Sequence, residues 1–225
     1  MGLKQLRAIY NYYKAIYNYH KGVRSEANRH YEKAVKHYTK AVGLGCVEAQ
    51  VNLGQCYLTG KGTAQDYQRA TELFAKAAEC GLAAAQRNLA ICYANGFGVA
   101  QDKQKAVELY TQAAEQGDAQ AQCDLGLCHA NAQGVSRNHV MAFSWYTKAA
   151  EQGLAEAQNL LAVCYMKGLG IARDIEKAAS WASKAAKQGN ADAQNNLANW
   201  KKQGLIQNWK DDDENYDIMY DIYKN

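Results

Sequence analysis

The 225-residue sequence predicts an all-α fold, an α-solenoid of stacked helix–turn–helix units. Three observations carry that expectation. The pair Ala-Gln recurs at Ala49-Gln50, Ala85-Gln86, Ala121-Gln122, Ala157-Gln158 and Ala193-Gln194, each pair 36 residues after the last. Within each period, apolar and small residues fall at helical spacing. Between them, glycines and one Asp or Asn stand where helices stop and start. Repeats of this length mean supersecondary units that bury their apolar faces only by stacking.

The first helix of each unit follows from the residues after that pair. Leu53, Leu89, Leu125, Leu161 and Leu197 come four positions after each alanine, followed at once by Gly54, Ala90, Gly126, Ala162 and Ala198. Tyr57, Tyr93 and Tyr165 complete the face, with His129 in the fourth such slot. Ala, Leu and Tyr at these spacings line one side of a helix. The small residue admits a second helix at close range.

The turn comes next. Gly60 and Gly62 match Gly96 and Gly98, and Gly168 and Gly170, while Asp66, Asp102, Asn138 and Asp174 share one position after them. Asp and Asn cap helix starts by accepting from free backbone N–H groups. A phosphate loop needs a preceding strand and a Lys-Ser/Thr ending, and an EF-hand needs more acids at fixed steps; neither pattern is here. The second helix carries Ala70, Ala106, Ala142 and Ala178, with Phe74, Tyr110 and Tyr146 four residues on. Gly81, Gly117, Gly153 and Gly189 then end each unit, where a residue tolerant of positive φ is favoured.

Composition narrows the classes. No apolar run approaches the roughly 20 residues of a membrane-spanning helix. The start, with basic residues among tyrosines, does not read as a secretory signal, and Leu6 stands where a myristoylation motif after Gly2 needs Ser or Thr. The net charge of +4 is spread along the chain with no dense basic stripe, so nucleic acid is a poor fit. Seven cysteines include the periodic Cys56, Cys92, Cys128 and Cys164. Stacked helix layers lie roughly 8–10 Å apart, whereas a disulfide needs Cα atoms within about 7 Å, so these read as small apolar filling in a reducing, cytoplasmic protein.

These residues resemble the Sel-1-like repeat, a relative of the tetratricopeptide repeat. Ala119 to Gly153 nearly spells out that family's pattern, departing at His129, Ala132, Asn138 and Met141. The resemblance implies a right-handed α-solenoid, an α–α superhelix, that binds a peptide or partner protein in its concave groove. It divides a single repeat domain into a degenerate repeat over 7–46, repeats over 47–82, 83–118, 119–154 and 155–190, and a partial repeat with a capping helix over 191–225. In the first unit Tyr19-His20-Lys21-Gly22 stands in place of Tyr165-Met166-Lys167-Gly168, giving a connecting segment two residues longer than the others. Asn215 to Tyr223 is expected to form the last helix, preceded by the acidic run Asp211 to Glu214 as its solvated start. Terminal repeats are atypical because one face meets water, and the tyrosine-rich stretch from Ile9 to Tyr19 suits a cap.

The sequence offers no catalytic, cofactor or metal constellation. His20, His30, His37, His129 and His139 form no i, i+4 pair, and Cys123 and Cys128 lack the spacing of a zinc or redox pair. Some cysteine-rich bacterial relatives are linked to binding or cleaving penicillin-like compounds. A β-lactamase-like or cell-wall hydrolase is therefore the alternative reading, although no nucleophile here has an adjacent base. A self-associating structural role through the ends is another. Family resemblance also allows a bacterial host-interaction or signalling regulator, exported without a standard signal.

For the favoured reading, an adaptor, the resemblance points to first-helix positions as the groove. They are Asn52, Gln55, Arg87, Asn88, Ile91, Asp124, Leu127, Asn159, Val163, Met166, Asn195 and Asn196. Ile91, Leu127 and Val163 make an apolar stripe. Carboxamides can clasp the N–H and C=O of an extended peptide, and Arg87 can meet a carboxylate. Ordinary helix surface is the competing account of any one of them.

Overall fold

The computed structural model describes residues 3–206, with side chains from Gln5 onward. The expected helix over Asn215–Tyr223, the acidic run before it and Gly2 lie outside the described residues. Within them stand eleven α-helices and no strand: α1 (Leu3–Ala27), α2 (Tyr31–Val42), α3 (Val47–Thr59), α4 (Tyr67–Glu79), α5 (Ala83–Asn95), α6 (Lys103–Glu115), α7 (Ala119–Asn131), α8 (His139–Glu151), α9 (Ala155–Lys167), α10 (Ile175–Lys187) and α11 (Ala191–Lys202). The fold is an all-α repeat of helix pairs. The helices group into two compact units, one through Gln116 and one from Gly117.

In the first unit, α3 with α4 and α5 with α6 are built alike. Gly60 and Gly96 end α3 and α5 in the left-handed conformation, with φ of 70° and 74°. Asp66 and Asp102 then open α4 and α6, accepting from the N–H of Arg69 at 3.0 Å and of Lys105 at 2.9 Å. Their own N–H groups donate to the Tyr57 and Tyr93 carbonyls at 2.9 Å, which closes each turn onto the helix it leaves. The second turn glycine has a different task. At Gly98 (φ +68) an added Cβ would collide with the carbonyl of Tyr67, at the start of the preceding pair's second helix. The turn thus packs backbone against backbone, and Thr71 Oγ donates to the Phe97 carbonyl at 2.7 Å beside it.

Small residues on the first helices make room for aromatics from the second. An added Cβ on Gly54 would lie 2.6 Å from the Phe74 ring, and Phe74 is fully buried. Ala34, Tyr38, Ala41, Ala49, Leu53 and Cys56 form one continuous core across α2 and α3.

The first pair departs from its expected form. Gly22 does not end α1, which continues to Ala27, and the link to α2 is Asn28–His30, shorter than the Gly60–Asp66 link and not longer. Gly22 is buried inside the helix, where a Cβ would strike the Tyr38 ring. It therefore does for Tyr38 what Gly54 does for Phe74. The physical reason is local: the residues from Val23 to Ala27 contain neither a second glycine nor an Asp or Asn cap, so nothing stops the helix. The extra turn brings Glu26 to Tyr38, whose hydroxyl donates to Glu26 Oε2 at 2.7 Å.

The second unit, α7 to α11, repeats the plan. Asn138 and Asp174 cap α8 and α10, each accepting at 3.0 Å from the N–H three residues on. Ala132 holds the left-handed position at φ 57° that glycine holds in the other copies. Leu125 and Leu161, each 1% exposed, anchor its core, and α11 seats Trp200 against Ala162, Met166, Ala178 and Ala182.

Candidate functional site

The first helices carry the candidate binding residues, and each unit presents its own set. In the first unit these are Asn52 and Gln55 on α3 with Arg87, Asn88 and Ile91 on α5. Asn88 is buried, 1% exposed, and its Oδ1 accepts from Gln55 Nε2 at 2.9 Å. That bond joins successive first helices, so the Asn88 carboxamide is engaged within the protein. The half-buried Asn52 hydrogen-bonds the Tyr38 side chain. Burial, then Glu26, pushes the Tyr38 hydroxyl well above its ordinary range, so it stays protonated and donates. Arg87 and Ile91 are half-buried on the same helix.

In the second unit Asp124 and Leu127 lie on α7, Asn159, Val163 and Met166 on α9, and Asn195 and Asn196 on α11. Asn196 Nδ2 donates to Asn159 Oδ1 at 2.9 Å, so the Asn159 oxygen also serves a join between helices. Met166, 6% exposed, belongs to the Trp200 core and does not face outward. Asp124, Leu127, Val163 and Asn196 are half-buried, and Asn195 is exposed. Gln120 and Glu156 hold the second position of their repeats, one of the groove positions the resemblance implies, but they are not among the named candidates. Gln120 Nε2 reaches Glu156 Oε2 at 3.3 Å and Asp124 Oδ1 at 3.5 Å, which gathers two carboxylates around one carboxamide. Their places one repeat apart on first helices were the available signal.

A second amide set was also missed. Gln116 donates to Gln86 at 2.7 Å, and Gln152 to Gln122 and Gln188 to Gln158 at 2.8 Å, each pair 30 residues apart. The recurring Ala-Gln and Glu-Gln or Lys-Gln pairs mark it in the sequence, but only packing shows that they meet.

Burial pushes the Cys56, Cys128 and Cys164 thiols up to about 11, so they stay protonated at neutral pH, when only the thiolate is a good nucleophile. Burial lowers the His129 pKa and keeps that ring neutral. Among the described residues no group of three or more His, Cys, Asp or Glu is placed to hold a metal ion, and no helix is long and apolar enough to cross a membrane.

The model of the Sel1 repeat matches residues 8–46, 47–82, 83–118, 119–154 and 155–190. A Sel1 repeat protein from Oxalobacter formigenes is 35% identical, with a TM-score of 0.72 over 78% of this chain and 70% of that one. A protective antigen of uropathogenic Escherichia coli with the same kind of repeat is also 35% identical, with a TM-score of 0.77 over 91% of this chain. The chain spans only 44% of the length of that antigen. An immunity protein from Pseudomonas aeruginosa is 25% identical, with a TM-score of 0.55 over 80% of this chain and 67% of that one. No curated protein matches the chain in sequence.

Proposed function

Because the chain belongs to the Sel1 repeat family, whose members generally act as protein-interaction scaffolds, we propose that it is an adaptor holding a peptide or partner protein on its first-helix faces. The observation that carries this reading is the pairing of half-buried apolar side chains with polar groups at their edge. In the first unit half-buried Ile91 stands one helical turn from Arg87 on α5; in the second, half-buried Leu127 stands one turn from Asp124 on α7, and Val163 one turn from Asn159 on α9, whose Oδ1 accepts from Asn196. Apolar anchors bordered by hydrogen-bonding groups are the usual anatomy of a recognition surface. The Arg87 side suits a carboxylate, and the Asp124–Glu156 side suits a basic residue.

We take the adaptor to work by binding alone, in line with its membership of the Sel1 repeat family. Its six buried thiols suit a reducing compartment, the cytoplasm. By likeness to the E. coli antigen, the proposal extends to a bacterial host-interaction or signalling role.

The test uses the full chain with one substitution in each unit, Ile91→Glu and Leu127→Glu. Partner capture from extracts of the source cell, read by mass spectrometry, is expected to fall by roughly tenfold or more, with helical content unchanged. Unchanged capture would reject these faces as the binding surface.

A further inference from the structure

The long first helix leaves a face that no described residue covers. Tyr10, Tyr12, Tyr13 and Tyr17 are each about 60% exposed. Tyr10, Tyr13, Lys14 and Tyr17 of α1, with Lys40 and Leu44 at the far end of α2, border a groove of about 800 Å³. That size suits inserted side chains. The groove is cationic as well as aromatic. From Leu3 to Ser25, α1 carries Lys4, Arg7, Lys14, Lys21 and Arg24 and no acid. Lys14 Nζ lies 5.5 Å from the Tyr10 ring centre and Lys21 Nζ 4.6 Å from that of Tyr17, so the charges sit on the aromatic surface.

The chain itself contains the matching chemistry. Residues 207–225 hold Asp211, Asp212, Asp213, Glu214, Asp217 and Asp221 against only Lys210 and Lys224. The same segment carries Tyr216, Met219, Tyr220 and Tyr223, apolar groups at helical spacing among those acids. An acidic, aromatic segment is what a tyrosine-lined groove flanked by lysines selects. Groove and segment carry opposite charge on every copy, so two copies offer each other matched surfaces.

We propose that the α1–α2 groove is the docking site for residues 207–225 of a second copy of this chain. The contact is heterologous: a different surface is used on each copy, so association can continue beyond a dimer into rings or open chains. It uses neither the α3 and α5 face nor the α7, α9 and α11 face. Failure here therefore leaves the adaptor reading untouched, and failure of that reading leaves this one.

The experiment is sedimentation equilibrium of the full chain over roughly 1 to 100 μM, at low and high salt. The expected result is a weight-average mass that rises with concentration past the dimer, less so at high salt because screening weakens the charge attraction. Two charge-reversed variants follow, Lys14→Glu/Lys40→Glu in the groove and Asp211→Lys/Asp212→Lys/Asp213→Lys in the segment. Each alone presents like charges to its own copies and is expected to associate at least about tenfold more weakly, with its circular dichroism unchanged. Mixed in equal amounts they offer opposite charges to one another, and association returns. A wild-type chain that stays monomeric throughout overturns the proposal. So does self-association that neither variant weakens, or variants that do not recover on mixing.

Discussion

Replacing Cys80 by Gln should stabilise the protein, and the reason is a gap in the glutamine set. Gln86, Gln122 and Gln158 each accept from a glutamine 30 residues later, at the end of the same helix pair. The same spacing from Gln50 leads to Cys80, an exposed cysteine that follows α4. Gln50 Oε1 is accordingly buried without a hydrogen-bond partner. A buried acceptor left unmade costs about 1–3 kcal/mol. Ordering a glutamine side chain to supply the bond costs about 1–2 kcal/mol. The net expectation for Cys80→Gln is a gain of about 0.5–1.5 kcal/mol, the usual yield of one intramolecular hydrogen bond. For a chain of this length that corresponds to about 1–6 °C in Tm. Urea and thermal unfolding of the full chain measure it, and a double-mutant cycle assigns it. In a Gln50→Leu background the gain should vanish, because no acceptor remains. The reverse change, Gln116→Cys, should cost a similar amount by stranding Gln86. A gain that survives Gln50→Leu, or no gain in the parent, would refute the reasoning.

Three further predictions rest on equally local features. Ala132 holds φ of 57° where Gly60, Gly96 and Gly168 stand in the other copies, so Ala132→Gly should raise stability by about 1 kcal/mol in urea unfolding. Burial lifts the Cys56, Cys128 and Cys164 thiols from 9.0 to about 11. The folded state thus favours the neutral thiol; that stabilisation is whole below pH 9 and is lost as pH climbs toward about 11, so Tm should fall across that window. At neutral pH a thiol reagent should label Cys80 alone in the native protein and all seven cysteines after denaturation.

Much of this protein is written in short-range chemistry. The period, the four turns and the caps at Asp66, Asp102, Asn138 and Asp174 could be read from the chain, because a cap and a left-handed glycine act within three or four residues of their own position. The periodic cysteines could be placed in the core for a related reason: helical periodicity puts them on the same side as Leu53, Leu125 and Leu161. The candidate site was legible only as a set of first-helix positions.

What tertiary packing decided is how those positions are engaged within the protein. Asn88 and Asn159 became joints between helices through partners 33 and 37 residues away, and Met166 became core under Trp200. Gly22 matched a turn glycine by local pattern, yet its role was set by the ring of Tyr38 on the opposing helix. Whether a side chain on a helix faces water or a neighbour depends on the pair stacked next to it, and that distance lies beyond any local pattern.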